Sequence, residues 1–195
     1  MNAITKVLLI LVAVMFLGMG FVGCTIYGGY NQAVSLDEEV KAAWAQVENQ
    51  LQRRFDLIPN LVEVVKGVAK QEKDIFIRIA EARQGYFQAS TQSEKVQSAR
   101  VLTAAMGGLL GLKESYPELK SNRNFSALQD QIEGTENRLS VERKRYNDAV
   151  KQLNTYTRKL IGRFVSGLAG VGPAEFFKVE EEAKAVPKVD FSDKP

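Results

Sequence analysis

The chain contains no histidine and a single cysteine, Cys24. Zinc sites of the Cys/His type are therefore excluded, and so are Ser-His-Asp and Cys-His catalytic arrangements. A phosphate-binding loop is also missing. Gly107-Gly108-Leu109-Leu110-Gly111 lacks the Lys-Ser/Thr pair that would grip a phosphate and its metal, and reads instead as a close helix crossing. Charge of one sign is scarce: 26 Lys and Arg are interleaved with 23 Asp and Glu, so no basic stripe points to nucleic acid. There are only five prolines, and hydrophobic residues make up 45% of the chain, a balance that suits a folded helical protein better than a disordered one. No segment carries a strand pattern that survives comparison with helical periodicity.

What is present begins with an apolar run. Val7 to Ile26 are 20 consecutive residues without a charge. As a helix rising about 1.5 Å per residue they would cover roughly 30 Å, the thickness of a hydrocarbon core. Lys6 precedes the run, and no Lys or Arg follows until Lys41. That bias predicts a single-pass protein of the cell membrane with a cytoplasmic N-terminus and the bulk of the chain outside. A second reading rests on Phe21-Val22-Gly23-Cys24, which has the form of a lipobox behind a signal peptide. In that case Cys24 would be lipidated and would begin the mature chain. Gly20, Cys24 and Gly28 also form a small-residue ridge through which two spans could self-associate.

Beyond the membrane the sequence predicts helices only. Gly28-Gly29 breaks the pattern, and Ser35 with Glu38 has capping-box spacing for a first helix running to about Arg54. Val40, Trp44, Val47 and Leu51 share one face of it. Asp56 is then expected to cap a second helix that carries Pro59 in its first turn and Leu57, Leu61, Val64, Val68, Ile75, Ile79 and Tyr86 on its seam. Glu72 falls where an apolar residue is due. Thr91 and Glu94 offer a capping box for a third helix, closed by Tyr116-Pro117. A fourth begins near Ser121–Asn124 and extends to about Gly162, with Phe125, Leu128, Ile132, Leu139, Tyr146, Val150, Leu153, Tyr156 and Leu160 as its seam. The expected architecture is all-α: a short N-terminal segment (1–6), a transmembrane helix (7–27) and an antiparallel bundle of long helices (30–166). A Gly/Pro-containing tail (167–195) follows, with a short helical turn over Ala174–Lys184.

Chemistry has few places to reside. Glu63, Glu81, Glu133 and Glu136 are the carboxylates from which an acid/base pair or hard-ligand site would be built. Their arginine neighbours, Arg83, Arg138 and Arg143, favour solvated faces or inter-helix pairs. Arg53, Arg54, Asp56 and Asn60 form a polar corner. It reads as a capped helix start whose arginines pair with carboxylates of the fourth helix, or as a docking surface for another membrane protein. Phe164, Val165, Leu168 and Val171 form an apolar stretch among glycines, buried on the bundle or touching lipid or a partner.

Several segments together resemble the LemA family of bacterial membrane-anchored helical proteins. They are Tyr30-Asn31 with Trp44, the run Arg54-Phe55-Asp56-Leu57-Ile58-Pro59-Asn60-Leu61-Val62, Glu81-Ala82-Arg83, Tyr116-Pro117-Glu118-Leu119, Ile132-Glu133-Gly134-Thr135-Glu136-Asn137-Arg138, Tyr146-Asn147 and Val186-Pro187-Lys188-Val189-Asp190-Phe191. The resemblance covers nearly the whole chain from Tyr30, in order. It implies a helical domain outside the cytoplasmic membrane and carries over no catalytic residue and no cofactor. Two departures concern the exit of the last helix: Leu160-Ile161-Gly162 stands where the family commonly has proline, and Phe176-Phe177 replaces an expected tyrosine and phenylalanine. The function expected is a non-enzymatic scaffold or adaptor of the cell envelope, binding membrane or envelope proteins through Arg53, Arg54, Asp56, Asn60, Phe164 and Leu168. A self-assembling structural protein, a lipoprotein form of the same domain and a carboxylate-based hydrolase are the alternatives.

Overall fold

A computed structural model describes residues 3–177, with side chains from Leu8 onward. The first element is one helix, α1, running from Ala3 to Val68 without interruption. Its apolar N-terminal portion is long enough to cross a membrane and none of it is buried within the protein. Two expected breaks are absent. Gly28-Gly29 stays helical because Gly29 is a packing site: a Cβ there would lie 3.0 Å from the Tyr156 hydroxyl and 3.1 Å from Val165. Ser35 therefore caps nothing, and Asp37 and Glu38 instead each hold Lys41 at 2.8 Å. Pro59 also lies inside the helix rather than at a new start. An interior proline costs about 3 kcal/mol, whereas each buried large aliphatic contributes roughly 1.5–3 kcal/mol. Leu51, Ile58, Leu61 and Val65 are all essentially inaccessible, and that burial holds the axis through the proline.

The chain turns at Ala69–Glu72, explaining the polar residue in the apolar register: Glu72 belongs to a turn, and its carboxylate accepts from the Tyr116 hydroxyl at 3.0 Å. The predicted second helix is thus two pieces, the end of α1 and a separate α2, Lys73–Gln88. The buried phase before the turn is Ile58, Leu61, Val65 and Ala69, one position on from Leu57, Val64 and Val68, which are only partly buried. Helix α3, Gln92–Ser115, opens on the expected Thr91/Glu94 capping box with both reciprocal bonds formed. A short α4, Pro117–Ser121, leads into α5, Arg123–Arg158, whose first N–H groups are capped by the Asn122 side chain.

Specific contacts give the bundle its sense. Trp44 meets Tyr146 edge-on at 5.3 Å, Arg54 meets Glu136, and the Tyr156 hydroxyl donates to the Gly29 carbonyl at 2.7 Å, so α1 and α5 are antiparallel. Phe55 stacks on Tyr86 at 4.3 Å, while Lys95 pairs with Glu48 and Arg54 with Thr103, so α2 runs against α1 and α3 along it. The regular elements among the described residues are all helices, with no strand, as the periodicity predicts.

Helix α5 ends at Arg158, earlier than expected, because Lys159 leaves the helical region (ψ 149°). Helix α6, Leu160–Leu168, follows and folds onto α1. It closes with Gly170 at φ +68°, where the Val171 N–H bonds to the Ser166 carbonyl and the Gly170 N–H to the Gly167 carbonyl. Leu160, assigned to the seam of α5, is 91% exposed instead. Residues 171–177 are non-helical, so the helical turn expected from Ala174 does not start there; the rest of that turn lies outside the described residues.

Candidate functional site

The polar corner on α1 splits into an inside and an outside. Arg53, Asp56 and Asn60 are exposed, and Asp56 accepts from Gln52 Nε2 at 2.9 Å rather than capping a helix. Arg54 points the other way and is 5% exposed. The four residues therefore do not share a surface, because a helix turns successive side chains by about 100°. Arg54 crosses the core to Glu136 and donates also to Thr103 Oγ1 at 3.2 Å. The other oxygen of Glu136 accepts from Arg143 Nη2 at 3.1 Å, and the Arg143 guanidinium lies 5.0 Å over the Phe177 ring. Three helices and the tail thus meet at one carboxylate between two arginines. Burial lowers the Arg54 pKa, Glu136 opposes that shift and the like charge of Arg143 adds to it. Both oxygens of Glu136 are thus held by arginines. Glu63 and Glu81 are exposed, and Glu133 accepts from Gln129. Among the described residues no group of three or more His, Cys, Asp or Glu is placed to hold a metal.

Above this network a cleft of about 430 Å³ separates the start of α3 from the tail, with Trp44 and Tyr146 lining it. The Tyr146 hydroxyl donates to the Glu175 carbonyl at 2.8 Å, and Gln92 Oε1 lies 3.3 Å away. Burial, with the nearby Glu175 carboxylate, raises the Tyr146 pKa, keeping the phenol protonated as a donor. Two asparagines of α5 hold the tail as a strand partner would. Asn154 gives its amide N–H to the Ala174 carbonyl and takes the Ala174 N–H, at 2.8 and 2.9 Å. Asn147 does the same with Phe177, at 3.0 and 2.8 Å. Sequence periodicity alone does not reveal this clamp. Its available signal was Asn147 and Asn154 seven residues apart, hence on one helix face.

The late apolar segment also divides. Gly162, Val165 and Ser166 of α6 are buried, whereas Phe164 and Leu168 are 60% and 58% exposed. Cys24 is exposed on the apolar N-terminal portion of α1. A Cβ added at Gly20 or Gly28 would meet nothing within 4 Å, so that ridge faces away from the rest of the chain.

Similarity to known proteins extends over most of the chain. The chain is 23% identical to magnetosome proteins MamQ 2 and MamQ 1 of Paramagnetospirillum magneticum (strain ATCC 700264 / AMB-1), over 79% of this chain and 66% of each relative. It is 22% identical to magnetosome protein MamQ of Magnetospirillum gryphiswaldense (strain DSM 6361 / JCM 21280 / NBRC 15271 / MSR-1), over 78% of this chain and 66% of that relative. The chain thus spans just under two thirds of these relatives' own length. The LemA family model matches residues 43–191, from beside Trp44 through the bundle and into the tail, and the chain belongs to the LemA family.

Proposed function

We propose that this protein is a non-enzymatic scaffold or adaptor of the cell envelope, fixed in the membrane by α1 and recognising another membrane or envelope protein with its bundle. The observation that carries the reading is the continuity of α1: the same helix is apolar in its first third and lines the bundle core in its last. A bundle on a rigid stem is held at a set height and rotation above the bilayer, which serves positioning rather than turnover. Its carboxylates are paired or solvated, and it has no histidine. The relatives named above are called after a cellular structure, the magnetosome, and not after a reaction. The binding face proposed is the exposed side of α1 bearing Arg53, Asp56 and Asn60, with Arg54 serving the core.

Photo-crosslinking residues placed at Arg53 and Asn60 of the full chain in native membranes test this. The same partner should be captured from both positions, and Arg53→Glu should abolish capture while the circular dichroism melt is unchanged. Crosslinks only between copies of this chain would replace the adaptor with a self-assembling scaffold.

A further inference from the structure

Helix α6 has a buried side and an exposed apolar one. Gly162, Val165 and Ser166 pack inward. Leu160, Ile161, Phe164 and Leu168 are exposed at 91, 54, 60 and 58%. At about 100° per residue these four fall within one arc of roughly 100°, a continuous apolar stripe on a helix of nine residues. A soluble domain would bury such a stripe or dilute it with polar residues. This one has neither, and its place explains why.

The stripe stands beside the membrane-spanning part of α1. Leu160, Ile161, Phe164 and Val165 face Phe21, Val22, Thr25 and Ile26 across an open, apolar cleft of about 440 Å³. Those α1 residues lie at the C-terminal end of the apolar stretch Val7–Ile26, before Tyr27-Gly28-Gly29-Tyr30. Counted inward from Ile26, Phe21 lies only about 8 Å deeper along the helix, the depth at which amphipathic helices lie in the headgroup and acyl boundary. Charge agrees with that position. From Ala149 to Ala174 the chain carries Lys151, Arg158, Lys159 and Arg163 and no acidic residue. Arg158, Lys159 and Arg163 flank or lie within α6, and all three are exposed.

We infer that α6 is a second membrane-binding element, lying in the interface of the leaflet on the bundle's side. Leu160, Ile161, Phe164 and Leu168 enter the acyl boundary, and Arg158, Lys159 and Arg163 meet lipid phosphates. The occupant of the stripe is phospholipid, preferentially anionic. The cleft between α6 and α1 is filled by acyl chain, and the bundle is braced to the bilayer at two points instead of one. This rests on α1 crossing the bilayer and not on the adaptor reading.

Depth-dependent quenching in the full chain decides it. Phe164→Trp and, separately, Leu168→Trp are reconstituted in vesicles of phosphatidylcholine and phosphatidylglycerol containing lipids brominated at a shallow or a deep acyl position. The parent protein supplies the background of buried Trp44. Both variants should be quenched at least twofold more than the parent, more by shallow than by deep bromines, and more strongly as phosphatidylglycerol increases. Phe16→Trp reports the span independently through deep bromines. Quenching at Phe16 with none above background at 164 and 168 would remove α6 from the membrane and leave the anchor in place. Quenching lost at 164 and 168 as protein is diluted into excess lipid would also overturn the proposal, reassigning the stripe to a second copy of this chain. Absence of quenching at all three positions would remove anchor and brace together.

Discussion

At the scale of single residues, Glu136 is where the interior is most exposed to damage. It neutralises Arg54, which is only 5% exposed, and Arg143 depends on its other oxygen. Removing one member of a buried pair strands the other charge, whereas replacing both with apolar groups is often close to neutral. Glu136→Ala should therefore cost about 3 kcal/mol, the low end of the range for such losses because this carboxylate is partly exposed. Arg54→Met combined with Glu136→Leu should cost less than Glu136→Ala alone, measured by denaturant unfolding of the full chain in micelles. A double variant worse than the single would mean that the network fixes helix register and not merely charge balance. Tyr86 gives a second test. Burial first, then the Glu48 carboxylate, raises its pKa to about 12 from an ordinary 10. The folded state thus holds the phenol proton more tightly than the unfolded chain. Stability from this group is complete below pH 10 and falls as pH rises from 10 toward 12. Tyr86→Phe should flatten the fall in melting temperature over that window.

At the scale of elements, the periodicity of the sequence located the helices better than their ends. Val40, Trp44, Val47 and Leu51 all proved buried, and so did Phe125, Ile132, Leu139, Tyr146, Val150 and Leu153 on α5. These faces are set by side chains three and four apart, a local property. The ends are settled by distant partners. Gly28-Gly29 looked like a break until Val165 and Tyr156, more than a hundred residues on, filled the space over Gly29. Pro59 looked like a beginning, but the core beneath it outweighed its penalty. The exposed Pro59 gives a prediction: Pro59→Ala restores a donor for the Phe55 carbonyl and should stabilise the full chain by about 1–3 kcal/mol. Destabilisation instead would show that the proline shapes how α1 seats Phe55 against Tyr86. Gly162 is the opposite case. A Cβ there would collide with the Tyr156 carbonyl oxygen, a backbone atom with little freedom to move. Gly162→Ala should unseat α6 while leaving α1, α3 and α5 packed. A Trp reporter at Phe164 would then change its emission in vesicles with almost no change in overall helicity.

At the scale of the whole molecule, the candidate surfaces were only half legible, because a one-dimensional motif does not say which side a helix turns to its neighbours. Arg53 and Arg54 are adjacent in sequence, yet one serves solvent and the other the core. Cys24 poses the same problem in its sharpest form, since its four-residue context admits either an anchor or a lipid-modified N-terminus. Packing favours the anchor. Cleavage before Cys24 would remove Phe21 and Val22, the residues on the membrane side of the cleft against α6. It would also sever the unbroken stem that joins span to bundle. An uncleaved chain keeps both, so intact-mass measurement of protein extracted from native membranes should find residues 1–23 retained and no acyl addition. Cys24→Ser should leave mass and membrane fractionation otherwise unchanged. A mature chain beginning at an acylated Cys24 would reverse this argument. The thioether-linked lipid would then have to do the work of the lost helix, and α6 would face its acyl chains in place of Phe21 and Val22.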